Sequence, residues 1–203
     1  MATAGSVIEN PRRLERVTFL KTASESAGEM LVIRAEAGAT PNRPPMHVHI
    51  RQTETFVVEA GRMSFSIDAR EGTAGDGETI VAPAGAAHTW WNQGPEELVV
   101  RAALEPAERF ETFLETIYGL TSSGRVTSRG VPNPLQAAVV FHEFRGEWVP
   151  VFLPWPVRKL VFPVLAFIGR LAGYRPWYPE FSPQGPVKLN QQHQGAHQSA
   201  QED

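Results

Sequence analysis

The sequence predicts a mainly β protein, an antiparallel β-barrel in the first half of the 203-residue chain with an α-helical extension behind it. Two observations carry this. Met30–Ala37, Thr55–Glu59, Arg62–Asp68 and Leu98–Leu104 are short, rich in β-branched residues and partly alternating, and clusters of Gly, Pro, Asn and Asp separate them. Regularly spaced short strands with such turns favour a barrel or sandwich. After Glu105 the apolar spacing changes to the helical period.

The predicted organisation is an N-terminal arm over 1–12, a barrel over 13–104, helices over 105–181 and a disordered tail over 182–203. Within the barrel, 72–77 is read as a turn-rich connector, and Pro83 with Gly85 marks the next bend. The first helix is expected over Pro106–Tyr118, with Pro near its first turn and Gly119 past its end. Phe110, Phe113, Leu114 and Ile117 then share one face. A second helix is expected from Pro134 to Arg145, capped by Asn133 and stopped by Gly146, with Leu135, Ala138, Val139 and His142 as its stripe. The tail holds His193 and His197 in a polar, low-complexity run that cannot bury apolar surface.

Three imidazoles and one carboxylate mark a metal site: His47, His49, Glu54 and His88. Side chains two apart on a strand point to the same face, roughly 6.5–7 Å apart along it, so His47 and His49 can grip one ion. Glu54 has the wrong parity relative to His49 for an unbroken strand, which predicts a bend over Ile50–Thr53. Read forward, His47-x-His49, four residues, Glu54, six residues and Gly61 are followed by Gly77, five residues, Pro83-x-Gly85, two residues, His88, three residues and Asn92.

These two runs resemble the two sequence motifs of the cupin superfamily, over about residues 28 to 104. One position departs, since Pro41 stands where the first motif usually has a glycine. The resemblance implies a small jelly-roll-like barrel holding a divalent transition metal through His47, His49, Glu54 and His88. Imidazoles with one carboxylate suit iron, manganese, zinc, nickel or cobalt, with iron or manganese favoured here.

Strand parity turns Phe56 and Val58 inward with Glu54, and Trp90 and Asn92 inward with His88. It also turns Met63, Phe65 and Ile67 inward and leaves Ser64 and Ser66 outside. Phe56, Met63, Phe65 and Trp90 are the expected substrate pocket. That lining offers no second carboxylate or lysine as a general base, so Glu54 is the candidate catalytic group. The expected activity is a dioxygenase-like oxidoreductase acting on a small aromatic or enolic molecule. A zinc- or nickel-dependent isomerase or cyclase and a non-catalytic ligand-binding cupin are the alternatives.

A formal net charge of -3 without a basic run argues against a nucleic-acid partner. Zero cysteines exclude disulfides, iron–sulfur ligation and thiolate zinc sites. The N-terminus lacks the apolar core of a secretory signal, and a cytoplasmic location is the default. His142, a single histidine on a helix face, is left out of the site. Residues 148–175 are very apolar yet carry Arg158, Lys159, Arg170 and Arg175 and no acid. The longest uncharged run there, Leu160–Gly169, is too short to span a bilayer. Packing across the barrel or in a homodimer is the preferred expectation for this segment, and contact with an anionic membrane surface is the second.

Overall fold

The computed structural model describes residues 2–152, 154–183 and 185. The strands are β1 Val7–Asn10, β2 Glu15–Lys21, β3 Leu31–Ala37, β4 His47–Val48, β5 Thr53–Ala60, β6 Met63–Ile67, β7 Arg70–Ala74, β8 Thr79–Ala82, β9 Ala87–Asn92, β10 Leu98–Glu105 and β11 Val149–Pro150. The helices are α1 Phe110–Ser122, α2 Pro134–Glu143 and α3 Phe162–Leu171, the last preceded by a π-helical turn over Val157–Val161.

The strands form two antiparallel sheets, a six-stranded one in the order β1-β2-β3-β10-β5-β8 and a five-stranded one in the order β11-β4-β9-β6-β7. The expected mainly β architecture with C-terminal helices is therefore observed, as two sheets rather than one closed ladder. Phe19, Leu31 and Leu104 from the first sheet and Met63 from the second are fully buried between them. Each such side chain contributes about 1.5–3 kcal/mol through burial. The alternation on β5 is clean: Glu54, Phe56 and Val58 are buried, and the residues between them are half-buried.

Several elements differ from their sequence reading. β1 lies in the segment read as an arm and pairs with β2, Val7 opposite Thr18. Residues 72–74, read as connector, belong to β7. Gly72 is there because the Phe65 ring crosses it, and a Cβ at that position would meet Phe65 Cζ at 2.5 Å. The turn itself is confined to 75–78, closed by the Glu78 N–H to the Gly75 carbonyl at 3.0 Å.

α1 starts at Phe110, four residues later than its proline signal. The Pro106 and Ala107 carbonyls accept the Gln52 side-chain amide at 2.9 Å each, and Glu108 has φ 48°, so these residues cannot join the helical ladder. α1 also runs through Gly119, which is not a stop but a seat for Phe181: a Cβ there would lie 2.2 Å from Phe181 Cγ.

α2 keeps its expected cap, with Asn133 Oδ1 accepting the Leu135 N–H at 2.9 Å. Its buried set is Gln136, Ala138, Val139 and Val140, rotated from the expected stripe. α3 is the reason. Gly169 lies against Val139 and the Leu135 carbonyl, so α2 is covered on that side too. Ser64 and Ser66, expected outside, are buried at 2% and 5% exposure. β6 lies inside its sheet, between β9 and β7, where Trp91 and Thr89 stand opposite these small side chains and cover them.

No helix among the described residues is long and apolar enough to cross a membrane. Ser182 is buried, and the rest of the segment read as a tail, His193 and His197 included, lies outside the described residues apart from 183 and 185.

Candidate metal centre

His47 on β4 and His88 on β9 are direct cross-strand partners in the five-stranded sheet. Glu54 comes from β5 in the other sheet. Bends at Ile50 and Arg51 carry the chain between them, as the parity argument requires. The loop before His88 is a turn in which the Ala86 N–H reaches the Pro83 carbonyl at 3.0 Å and Gly85 has φ 83°. A positive φ at that place in a turn favours glycine. The Gly85 N–H then donates to the His49 carbonyl at 2.8 Å, so the Pro-x-Gly segment fastens the His88 loop to the His49 strand end.

One ligand atom each from His47, His49, Glu54 and His88 lies within 4.8 Å of the others, and all four residues are buried. Opposite donors in a shell with bonds of roughly 2.0–2.2 Å sit about 4.2 Å apart, so a contraction of a few tenths of an ångström would close the cluster around an ion.

The hydrogen bonds fix the imidazole tautomers. His47 Nδ1 donates to the Pro45 carbonyl at 2.8 Å, and His88 Nδ1 donates to the Ala86 carbonyl at 3.0 Å. His49 Nδ1 faces Gln52 Oε1 and the Glu147 carbonyl, both at 3.1 Å. Both of these are acceptors, because the Gln52 amide nitrogen is committed to Pro106 and Ala107. All three rings therefore carry their proton on Nδ1 and turn Nε2 toward one another, the orientation that outer hydrogen bonds give metal-binding histidines.

His49 Nε2 is buried in a residue of 0% exposure and makes no hydrogen bond among the described residues. An orphaned buried nitrogen costs about 1–3 kcal/mol unless something binds it. Glu54 Oε2 lies 3.0 Å from His88 Nε2 and 3.5 Å from His49 Nε2. Burial pushes the Glu54 carboxyl up, but its close contacts with His49 and His88, the second a hydrogen bond, outweigh this and hold it well below the ordinary carboxylate range. Burial likewise opposes charge on His88, yet Glu54 raises it above its ordinary value. His47 is pushed well below its ordinary value by burial and then by its two histidine neighbours, which keeps it neutral. An ion would displace the Nε2 proton that Glu54 draws onto His88, and three imidazole nitrogens with an ionised carboxylate are then the donor set of a divalent transition ion, so these four residues could hold one.

A cavity of about 380 Å³ opens onto His47 and Glu54. Trp90 lines it as expected. Phe56, Met63 and Phe65 do not: Phe56 and Met63 are core residues, Phe56 packing on Trp90 with ring centroids 6.2 Å apart, and Phe65 lies over Gly72. The cavity lies between the inward face of β3 and β10, with Ile33, Ala35, Val100 and Ala102, and the helical extension. Its opposing wall is Phe110, Phe113, Leu114 and Ile117, the face foreseen on α1, together with Trp148 and Phe141. Trp148 stacks on His47 at 5.3 Å and on Phe113 at 5.2 Å. The far end is polar, with Asn10, Arg13, Glu15 and Tyr118. Gln52, Glu147 and Trp148 escaped the sequence reading, because Gln52 sits in an irregular bend and the other two approach only through tertiary folding.

A family profile described as a cupin domain matches residues 28–104. Oxidoreductase iacF of Pestalotiopsis fici is 30% identical over 137 residues, 63% of this chain and 67% of its own length. The probable oxidoreductase virH of Hypocrea virens is 28% identical over 152 residues, 68% of this chain and 67% of its own. Among solved structures, the Schizosaccharomyces pombe Cnp3 cupin domain aligns with a TM-score of 0.43 at 12% identity, covering 50% of this chain and 68% of that one.

Proposed function

The chain belongs to the cupin superfamily, and on that premise we propose that it is a metal-dependent oxidoreductase with dioxygenase-like chemistry on a small aromatic or enolic molecule. The observation that carries this reading is a cluster of three imidazoles and one carboxylate, two of whose members, His47 and Glu54, line a mainly apolar cavity walled in part by aromatic rings. Relatives named oxidoreductases, at about 30% identity, support the reaction class.

His47, His49, His88 and Glu54 would hold the ion, with iron or manganese the preferred metal for this donor set. Such an ion supplies electron transfer to dioxygen and Lewis acidity toward an enol or phenol oxygen. The chain's own residues do the rest. Trp90, Phe110, Phe113 and Trp148 sandwich a flat apolar body and exclude water from the donor cluster. Glu54 Oε1, the carboxylate oxygen not engaged by His49 and His88, takes the substrate's hydroxyl proton. Tyr118 and the Arg13–Glu15 pair at the far end bind a polar substituent of the substrate and set which end enters first.

The test is oxygen uptake by the iron- or manganese-loaded protein across aromatic and enolic compounds, with elemental analysis of the same sample. Oxygen consumed in proportion to product, and lost in Glu54→Ala, is the expected result. Equal turnover under strict anaerobiosis would replace the reading with a non-redox isomerase or cyclase.

A further inference from the structure

α3 packs on α2 through Ala166 and Gly169, and the π-helical turn and α3 together turn an apolar stripe outward, with Arg170 to one side of it. Leu160, Val164, Phe167 and Leu171, at helical spacing, are exposed at 66%, 57%, 64% and 74%. Exposed apolar surface of this extent marks an interaction site.

Beside it, Arg145, Arg158, Lys159 and Trp155 line a groove of about 240 Å³ between α2 and the π-helical turn. The Arg158 Nε is buried and makes no hydrogen bond among the described residues. Lys159 Nζ lies 4.8 Å above the Trp155 ring. None of the groove's three cations has an acidic partner among the described residues, and no acid occurs between Trp148 and Pro179.

We propose that the α3 face and this groove dock on an anionic lipid surface, α3 lying in the headgroup plane with the cations taking lipid phosphates. Apolar and aromatic residues beside unpaired cations, on a helix too short to span, are the composition of an interfacial anchor. Charge decides against a second copy in the same seat: a two-fold pairing would set Arg145, Arg158 and Lys159 against their own equivalents, with no acid between them. Phe141 and Trp148 line both the groove and the cavity, and the exposed Phe152 lines the cavity too. Docking therefore sets the lipid against a groove that shares two of its walls with the cavity.

The test is sedimentation of the full chain with vesicles of phosphatidylcholine alone or mixed with phosphatidylserine, at low and raised salt. Binding only to the mixed vesicles, weakened by salt, is expected. Arg158→Gln with Lys159→Gln should reduce it about twenty-five-fold, since each cation near an anionic surface is worth about a factor of five. Phe167→Glu with Leu171→Glu should abolish it, with unchanged circular dichroism and metal content showing that the fold is intact. Equal binding to both vesicle types, no binding to either, or full binding by the glutamine pair overturns the proposal. So does a dimer in solution that Phe167→Glu dissociates, because a second copy then covers the face. Vesicle binding needs no turnover, so failure here and failure of the oxygen assay are separate results.

Discussion

Gln52 accepts the His49 Nδ1 proton at 3.1 Å while its own amide nitrogen donates to the Pro106 and Ala107 carbonyls at 2.9 Å each. One side chain thus orients a donor ring and ties the metal cluster to the start of the helical extension. An acceptor held from behind can face only one tautomer of its partner, so the bond selects the imidazole form that presents Nε2.

Gln52→Ala should lower metal affinity by about 10- to 100-fold, the usual loss when an outer-shell partner of a ligating histidine is removed. Competition against a chromophoric chelator measures it. Affinity within twofold of wild type would mean that the Glu147 carbonyl alone holds the ring.

Leu114→Trp should fill the cavity from the α1 side without touching a donor. Leu114 is half-buried and faces the cavity, so the larger ring enters open space rather than packed core. Turnover of the best substrate should fall by roughly tenfold or more, because displaced substrate loses its near-attack position. Metal content and melting temperature should stay as in wild type. Unchanged kcat and KM would show that substrate reaches the donors by another route.

Gly119→Ala should destabilise the protein by about 1–3 kcal/mol, the range for overpacking a filled site. The added methyl would meet the root of the Phe181 ring, which cannot swing clear as a flexible chain end can. Thermal unfolding should register a drop of roughly 2–4 °C per kcal/mol. In the Phe181→Ala background the same substitution should cost little, which is the non-additivity expected of residues in contact.

The four donors were legible in the sequence because their evidence is local: His47-x-His49, the parity break before Glu54 and the turn ahead of His88 each record a backbone constraint. The strands β3, β5, β6 and β10 were legible for the same reason, whereas β1 was read as an arm and residues 72–74 of β7 as a connector. The pocket was not. Strand parity placed Phe56 and Met63 inside correctly, but inside has two parts here, and a face shared with α1 and Trp148 is decided by how the helical extension folds back, which no local spacing encodes. Gly119 misled in the same way: a glycine near a helix end reads as a stop, and only the position of Phe181, far along the chain, shows it to be a contact.

Trp148 has a consequence for how the two compartments behave together. Its indole leans on His47 on one side and meets Phe141 of α2 at 5.0 Å on the other. That ring is a shared wall of the outer groove and the inner cavity, so a change of side chain at this one position alters both.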